Sequence, residues 1–241
     1  MPTAILYDIP SRSPCACWSP NPWKTRLLLN FKNIDYKTEW VEYPDIAAKY
    51  KELGIPPNPK EPYPYAIPGI SIETPDGLLH LQGSREIATV IEKYWPTPSV
   101  HLDSPYMEKI DTFKFVGPLA TLLMPRNAQN ILNPVSVEYF SRTRSARFGM
   151  TLDEFEKSKP VDEVWANATK VLSELADMLK ENPSGPFLMG KEVSYADFVV
   201  VGVFQFYKRA GQDIFDRAMA VDTALPALYD ACEPWLKRDN H

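Results

Sequence analysis

The chain has 241 residues, of which 44% are hydrophobic and 24% charged, which is enough for one large or two ordinary domains with real cores. A formal net charge of -5 argues against the basic surface that nucleic-acid binding requires. No apolar run approaches the roughly 20 residues of a membrane span, and the amino terminus lacks the pattern of a secretion signal. We therefore predict a cytoplasmic protein that binds neither nucleic acid nor membrane.

The cysteines and histidines indicate neither a disulfide framework nor a metal site. Cys15, Cys17 and Cys232 are too few and too unevenly spaced for a set of bridges, which agrees with a reducing compartment. The three histidines lie far apart and show no ligand spacing, so we expect no metal.

The first hundred residues alternate strand and helix signals. A short apolar strand is predicted over residues 4–9, a helix from Pro20 to about Asn33, and an alternating strand over 36–41. Together they form a βαβ unit.

A proline-rich segment and a hairpin follow. Six prolines between residues 55 and 68 make regular structure there very unfavourable. Residues 69–74 and 78–82 flank the turn tripeptide Pro-Asp-Gly and predict a β-hairpin. Ser84 then opens a helix that prolines stop near residue 96.

Strand signals nearly vanish after a linker at residues 95–105. Helical patterns cover residues 105–124 with a bend at Pro118, and then 136–148, 161–182, 194–211 and 225–238. The pattern predicts an α/β domain over residues 1–98 and an all-helical domain over residues 105–241.

Three motifs in the first domain have both a structural and a functional interpretation. Ser19-Pro20 marks a helix start, where the serine either only caps the helix or helps its N–H groups and dipole to bind an anion. Ser84 has the same two interpretations. Ile67-Pro68 precedes a strand as either a trans proline in a loop or a cis proline that turns a backbone edge toward a ligand.

These features together resemble the glutathione transferases, whose first domain is thioredoxin-like and whose second is a helical bundle. Ser194-Tyr195-Ala196-Asp197 is a capping-box pattern before an apolar run, and it resembles the family's capping box and hydrophobic staple. The segments SPNPWKTRLLL and YFSRTRSARFG are more narrowly similar to the etherase-like branch, which includes bacterial lignin β-etherases and the fungal FuA class.

The resemblance implies a catalytic serine and a set of residues around glutathione. Ser19 matches the serine whose hydroxyl binds the glutathione thiolate, and Ser84 matches the serine that holds the γ-glutamyl carboxylate. Ile67 would pair with the cysteinyl backbone, and Pro68 would be the cis proline. The predicted glutathione-binding residues are Ser19, Asn21, Ile67, Pro68, Ser84 and Arg85.

Two departures from the family pattern leave alternatives open. Gly83 stands where the family usually has an acidic residue or Gln, so Gln82 or a residue of a partner subunit would have to meet the γ-glutamyl ammonium. The loop before Ser19 is long, which makes Ser11 and Ser13 rival candidates for the catalytic hydroxyl.

A hydroxyl at a helix start suits a sulfur anion. Lowering a thiol pKa by two units requires about 2.7 kcal/mol of preferential stabilisation of the anion. One hydroxyl hydrogen bond to a charged acceptor, about 1.5 to 3 kcal/mol, together with the helix terminus and its aligned amides can supply it.

The expected function is a homodimeric glutathione transferase, without a metal, that acts on hydrophobic aromatic electrophiles or aryl ethers. Phe113, Phe115, Met124 and Tyr139 are candidates for the walls of the second substrate's site, which we expect between the domains. One alternative is a ligandin-like protein that binds aromatic compounds with little turnover. Another is thiol transfer through Cys15 or Cys17.

Overall fold

A four-stranded sheet and three helices form the amino-terminal half of the computed structural model, which describes residues 3–59 and 63–240. In chain order these elements are β1 (Ala4–Asp8), α1 (Pro20–Phe31), β2 (Tyr36–Trp40), α2 (Ile46–Glu52), β3 (Gly69–Thr74), β4 (Gly77–Gln82) and α3 (Ser84–Tyr94). The strand order is β2-β1-β3-β4, with β1 parallel to β2 and antiparallel to β3. The thioredoxin-like fold predicted from the sequence is confirmed.

The βαβ unit and the hairpin lie where the sequence predicts them, but α2 was not predicted. It follows a single 3-10 turn, Tyr43–Asp45, and precedes the proline-rich segment. The described residues of that segment, 55–59 and 63–68, contain neither helix nor strand, and residues 60–62 lie outside the described chain.

The carboxy-terminal half is helical, as predicted. Its helices are α4 (Pro105–Thr112), α5 (Ala120–Arg126), α6 (Pro134–Phe148), α7 (Leu152–Lys157), α8 (Val161–Lys180), α9 (Tyr195–Ala210), α10 (Gln212–Met219), α11 (Ala224–Ala231) and α12 (Glu233–Leu236). Within the described ranges, no helix is both long and apolar enough to cross a membrane.

The single bent helix predicted over residues 105–124 is wrong. The chain instead leaves α4 at Phe113, whose ψ of 131° is extended, and resumes as α5 at Ala120. Gly117 and Pro118 lie in the intervening loop, since neither residue favours a helix interior. Pro125 by contrast lies within α5 and is followed by a π-helical turn, Asn127–Ile131.

Close packing of α1 against α9 joins the two halves of the molecule. At Gly202 a Cβ atom would lie 2.9 Å from the backbone oxygen of Pro20, so only glycine allows α9 to approach the first turn of α1 this closely. At the other end of α1, Phe31 packs edge-to-face against Phe198 and Trp235, with ring centroids 5.7 and 5.0 Å away. The core therefore fixes the helix that begins beside Ser19.

The capping box predicted at the start of α9 is present and buried. Asp197 accepts hydrogen bonds from the backbone N–H of Leu188 at 2.9 Å and from the backbone N–H and hydroxyl of Ser194, both at 2.7 Å. Burial raises the pKa of Asp197 to about 6, and the hydrogen bonds from Leu188 and Ser194 oppose that shift. The carboxylate is therefore mostly ionised at neutral pH and serves as an acceptor for all three donors.

Asp197→Ala is expected to lower the free energy of unfolding by about 2 to 3 kcal/mol, because it leaves two buried N–H groups without an acceptor. Denaturant unfolding at pH 7 measures the change. Glu154→Ala is the matched control, since Thr151 and Glu154 form the same capping box on the surface. A loss no larger in Asp197→Ala than in Glu154→Ala would contradict the role of burial.

Candidate functional site

Ser19 lines a cavity of about 400 Å³ formed by both halves of the chain. Its lining comes from the loops after β1 and β2, the first turns of α1 and α2, the proline-rich segment and α6. The described lining residues are Ile9, Ser19, Asn21, Tyr43, Pro44, Ile46, Ala47, Tyr63, Pro64, Tyr65, Ala66, Ile67, Tyr139, Arg144 and Arg147. We call this the acceptor cavity.

The Ser19 hydroxyl does not cap α1. The residue occupies the N-cap position with extended dihedrals, φ -77° and ψ 141°, but its side chain accepts no capping hydrogen bond. The side chain is half-buried at the rim of the acceptor cavity. Its hydroxyl is therefore available to a ligand.

The expectation that several aligned amides lie beside Ser19 is wrong. A helix start leaves its first N–H groups without an intrahelical partner, but Pro20 and Pro22 have no N–H. The N–H of Trp23 donates to the Ser19 carbonyl at 3.3 Å. Asn21 alone retains an available N–H in this turn, so the hydroxyl of Ser19 carries a larger share of any anion stabilisation.

A second cavity, of about 300 Å³, adjoins the first. It is lined by Asn21, Lys24, Asn58, Ala66, Ile67, Pro68, Gln82, Gly83, Ser84, Arg85 and Glu86, and we call it the peptide cavity. Asn21, Ala66 and Ile67 line both cavities. The structure thus brings all six predicted glutathione-binding residues to two adjoining cavities.

Ile67 presents a free backbone edge between the cavities. The Ile67-Pro68 peptide is cis, as the resemblance implied. Among the described residues, neither the N–H nor the carbonyl of Ile67 takes part in a backbone hydrogen bond of the loops and turns. An extended peptide could pair with this edge.

Glu86 occupies the space of the acidic side chain that Gly83 lacks. Gly83 has a φ of +93°, and a Cβ there would collide with the carboxylate of Glu86. Glu86 is the sole carboxylate among the described residues that line the peptide cavity. Gln82 is already engaged: its amide accepts from the Ala66 N–H at 2.9 Å and donates to the Pro56 carbonyl at 2.7 Å.

Lys24 supplies a cation to the same cavity. Its ammonium donates to the side-chain oxygen of Asn21 at 2.9 Å, and within residues 3–59 and 63–240 it forms no ion pair. Burial lowers the pKa of Lys24. An anionic group of a bound peptide would pair with the ammonium and offset the free-energy cost of burying its charge.

Arg85 is tied to the domain interface. Its guanidinium donates to the Leu102 carbonyl at 3.3 Å and lies 6.0 Å from the ring of Tyr195. The Tyr195 hydroxyl in turn donates to the carbonyl of Ser84 at 2.8 Å. The start of α9 thus supports the start of α3.

The structure separates the four predicted wall residues. Tyr139 lies in the acceptor cavity, stacked on Tyr43 with ring centroids 5.7 Å apart. Phe113 and Phe115 line a different cavity, which Asn21 and Lys24 also line. Met124 packs against the hydrophobic core and lines none of the described cavities.

The rival hydroxyls lie elsewhere. Ser11 and Ser13 line a separate cavity beside Arg209, and the Ser11 hydroxyl accepts a hydrogen bond from the backbone N–H of Ala16 at 3.0 Å. That loop is further held by Arg12, which donates to the Leu132 carbonyl at 2.6 Å. Neither Ser11 nor Ser13 lines the acceptor or the peptide cavity.

The two nearby thiols are poor nucleophiles. Burial, followed by the Asp8 carboxylate, raises the pKa of Cys17 well above its usual range, and burial raises the pKa of Cys15. The thiolate is the reactive form of cysteine. Within the described chain, no group of three His, Cys, Asp or Glu residues could hold a metal ion.

A buried ion pair holds the strand and helix on either side of the Ser19 loop. Arg26 of α1 donates two hydrogen bonds to Asp8 at the end of β1, at 3.0 and 2.9 Å, and both side chains are fully buried. Arg26 also donates to the Thr38 hydroxyl at 2.8 Å. Asp8 accepts a further bond from the N–H of Ile9 at 2.7 Å.

Comparison with known proteins assigns the family. The family described as glutathione S-transferase, C-terminal domain, matches residues 108–235, and the one described as glutathione S-transferase, N-terminal domain, matches residues 18–93. The chain is 30% identical to the glutathione S-transferase-like protein ustS of Aspergillus flavus. The matched region covers 96% of this chain and 90% of that protein.

Solved fungal structures match over the full length. A glutathione S-transferase of Ceriporiopsis subvermispora in complex with glutathione is 31% identical, with a TM-score of 0.83 and 97% of each chain covered. The glutathione transferase GSTFuA3 of Phanerochaete chrysosporium is 28% identical, with a TM-score of 0.84 and 96% of each chain covered. The chain belongs to the glutathione transferase family, and glutathione is its co-substrate.

Proposed function

We propose that this glutathione transferase uses the Ser19 hydroxyl to hold the glutathione sulfur as a thiolate for attack on hydrophobic aromatic electrophiles or aryl ethers. One observation carries the proposal. The Ser19 side chain sits at a helix start but makes no capping bond, and it faces the cavity that adjoins the peptide cavity.

In this proposal the peptide cavity binds the tripeptide and directs its sulfur toward Ser19. Ser84 and Lys24 bind the γ-glutamyl carboxylate, the free edge of Ile67 pairs with the cysteinyl backbone, and Glu86 meets the γ-glutamyl ammonium. Each of these groups lines the peptide cavity. The sulfur then lies near Asn21 and Ile67, where the two cavities meet.

The chemical step follows from the ionised sulfur. The Ser19 hydroxyl and the N–H of Asn21 stabilise the thiolate, which forms a sulfur–carbon bond with the acceptor. The electron pair of the broken bond leaves with a halide or, in an aryl ether, with an alkoxide or phenoxide that takes a proton from water. Tyr43 and Tyr139 provide flat apolar contacts for the acceptor.

Product analysis tests the proposed reaction. Wild-type protein is incubated with glutathione and either 1-chloro-2,4-dinitrobenzene or a β-aryl ether, and the thioether product is measured by mass spectrometry. Enzyme-dependent thioether formation supports transfer, and release of the phenol supports ether cleavage. No enzyme-dependent product from either acceptor would refute the proposal.

Glu86→Gln is expected to raise the Kd for glutathione about 10-fold, because an amide replaces the carboxylate that meets the ammonium. Titration calorimetry measures the change. Glu73→Gln removes the same charge from an exposed position of β3 and serves as the control.

A glutathione analogue without the amino group sharpens this experiment. Wild type should bind glutathione more tightly than the analogue, whereas Glu86→Gln should bind the two about equally. Unchanged discrimination in Glu86→Gln would place the ammonium elsewhere, for example at Gln82 or on a partner subunit.

Stacked tyrosines in the acceptor cavity also favour a second function, the ligandin-like binding of aromatic compounds. Tyr43 and Tyr139 are nearly parallel, with 10° between their planes, which suits a flat phenolic ligand. Tight binding of such a ligand with negligible conjugation would favour storage over catalysis.

The proposal also includes the organisation of the protein. It divides the chain into a glutathione-binding domain over residues 1–98 and a helical domain over residues 105–241. It places the protein in the cytoplasm as a homodimer. Light scattering in solution gives the mass of the assembly, and a monomer at micromolar concentration would contradict the dimer.

A further inference from the structure

The acceptor cavity contains two cationic side chains. The attack of a thiolate on a neutral electrophile does not require them. Arg144 and Arg147 of α6 both line the cavity. Of the lining residues that the structure describes, none is Asp or Glu. Neither arginine forms an ion pair with any residue of the described ranges, 3–59 and 63–240. The cavity is therefore locally positive in a protein whose net charge is -5.

The guanidinium of Arg144 packs against aromatic rings. The guanidinium carbon lies 4.6 Å from the ring centroid of Phe140, 4.9 Å from that of Tyr63 and 5.7 Å from that of Tyr43. Contact with aromatic faces orients a guanidinium without using its N–H donors. The side chain is thus fixed by packing rather than by a carboxylate.

Most of the Arg144 donors remain available. A guanidinium has five N–H groups, and in the described chain a single one, on Nη1, donates to a side chain, the Thr143 hydroxyl at 3.1 Å. The side chain is half-buried, so the cavity is the accessible side for an incoming anion. Two parallel N–H groups on one edge match the two oxygens of a carboxylate.

The aromatic walls lie beside this cation. Tyr43 touches Arg144 and stacks on Tyr139. Burial raises the pKa of Tyr43 to about 12, so its phenol is neutral and does not balance the charge of Arg144 at physiological pH. A ligand with a flat ring and an anionic substituent would satisfy both features at once.

We propose that the acceptor cavity selects aromatic carboxylates, with Arg144 binding the carboxylate and the Tyr43–Tyr139 pair contacting the ring. This inference rests on the proposed function, since it concerns the acceptor of the same reaction. Arg147, which is exposed, adds positive charge to the cavity and favours entry of the anion. Arg144 acts in specificity and takes no part in activating the sulfur.

A matched pair of ligands tests the proposal. The Kd values of 4-hydroxycinnamate and of its neutral primary amide are measured by calorimetry with the protein saturated with S-methylglutathione. That unreactive analogue keeps the acid out of the peptide cavity and away from Lys24. Its own binding is measured first, so a failure of the glutathione site is recognised separately.

Wild type is expected to bind the acid at least about 10-fold more tightly than the amide. In Arg144→Gln the two affinities should become equal, and in Arg144→Lys the preference should fall to an intermediate value because the planar fork is lost. Lys157→Gln removes a charge from an exposed position of the next helix, α7, outside the cavity, and should retain the wild-type preference. Thermal unfolding of each variant confirms that it is folded.

Equal affinity of wild type for the acid and the amide would overturn the proposal, as would a preference that survives in Arg144→Gln. A preference lost equally in Lys157→Gln would also overturn it, because the effect would then be one of net charge. None of these results would refute the role of Ser19, which turnover of the neutral 1-chloro-2,4-dinitrobenzene reports.

Discussion

Ser19→Ala is expected to lower kcat/KM for 1-chloro-2,4-dinitrobenzene about 10- to 100-fold, because a hydrogen bond from a hydroxyl to an anion contributes about 1.5 to 3 kcal/mol. With prolines at positions 20 and 22, the first turn of α1 offers few amides to compensate for the lost hydroxyl. The pKa of the bound glutathione thiol should rise by about one to two units for the same reason. Thiolate absorbance in the ultraviolet, followed over pH, measures that shift.

Two controls distinguish this effect from a general disturbance of the loop. Ser13→Ala changes an exposed hydroxyl of the same loop, outside both cavities, and should leave kcat/KM unchanged. Cys15→Ser removes the less buried of the two nearby thiols and should also retain activity. Full activity in Ser19→Ala, or its loss in Ser13→Ala, would refute the assignment of the catalytic hydroxyl.

Arg26→Met is expected to lower the free energy of unfolding by about 3 to 5 kcal/mol. The substitution leaves the Asp8 carboxylate buried without its cation, and removing one partner of a buried pair has effects of this size. The carboxylate would lose both hydrogen bonds from Arg26 and keep the one from the backbone N–H of Ile9. Denaturant unfolding at neutral pH measures the loss.

Arg126→Met is the matched control for this prediction. Arg126 also donates two hydrogen bonds to one aspartate, Asp213, at 2.7 and 2.9 Å, but the Asp213 side chain is 67% exposed. Arg126→Met should therefore lower the free energy of unfolding by at most about 1 kcal/mol. The double variant Asp8→Asn with Arg26→Met should lose less stability than the sum of the two single variants. Equal losses in Arg26→Met and Arg126→Met would show that burial of the pair is unimportant.

Local patterns were sufficient for most of the fold. Alternation and apolar runs correctly placed β1, β2 and the hairpin, and the proline after Ser19 marked the start of α1. The errors occurred where tertiary packing decides the outcome. Pro118 lies in a loop rather than at a bend, whereas Pro125 lies within α5, directly before a π-helical turn.

The candidate site was less predictable, because its parts come from distant segments. Ser19, Ile67 and Ser84 each carry a local signal, a helix start or an X-Pro step, that can be recognised in isolation. Glu86 lies next to Gly83, one helical turn away, at a spacing that is visible in the sequence.

Arg144 lies in the segment YFSRTRSARFG, whose resemblance to the etherase-like branch assigns no function to this residue. Its function depends on Tyr43 and Tyr63, about 100 and 80 residues earlier in the chain, and no periodicity joins positions so far apart. The prediction of wall residues at Phe113 and Phe115 depended only on a second-substrate site between the domains. In the structure those residues line a different cavity, which shares Asn21 with the acceptor cavity.

A crystal structure of this protein with glutathione is the most direct test of the central claim. We expect the sulfur to lie where the acceptor and peptide cavities meet, within hydrogen-bonding distance of the Ser19 hydroxyl. A sulfur bound elsewhere, with the Ser19 side chain turned back to cap α1, would contradict the account.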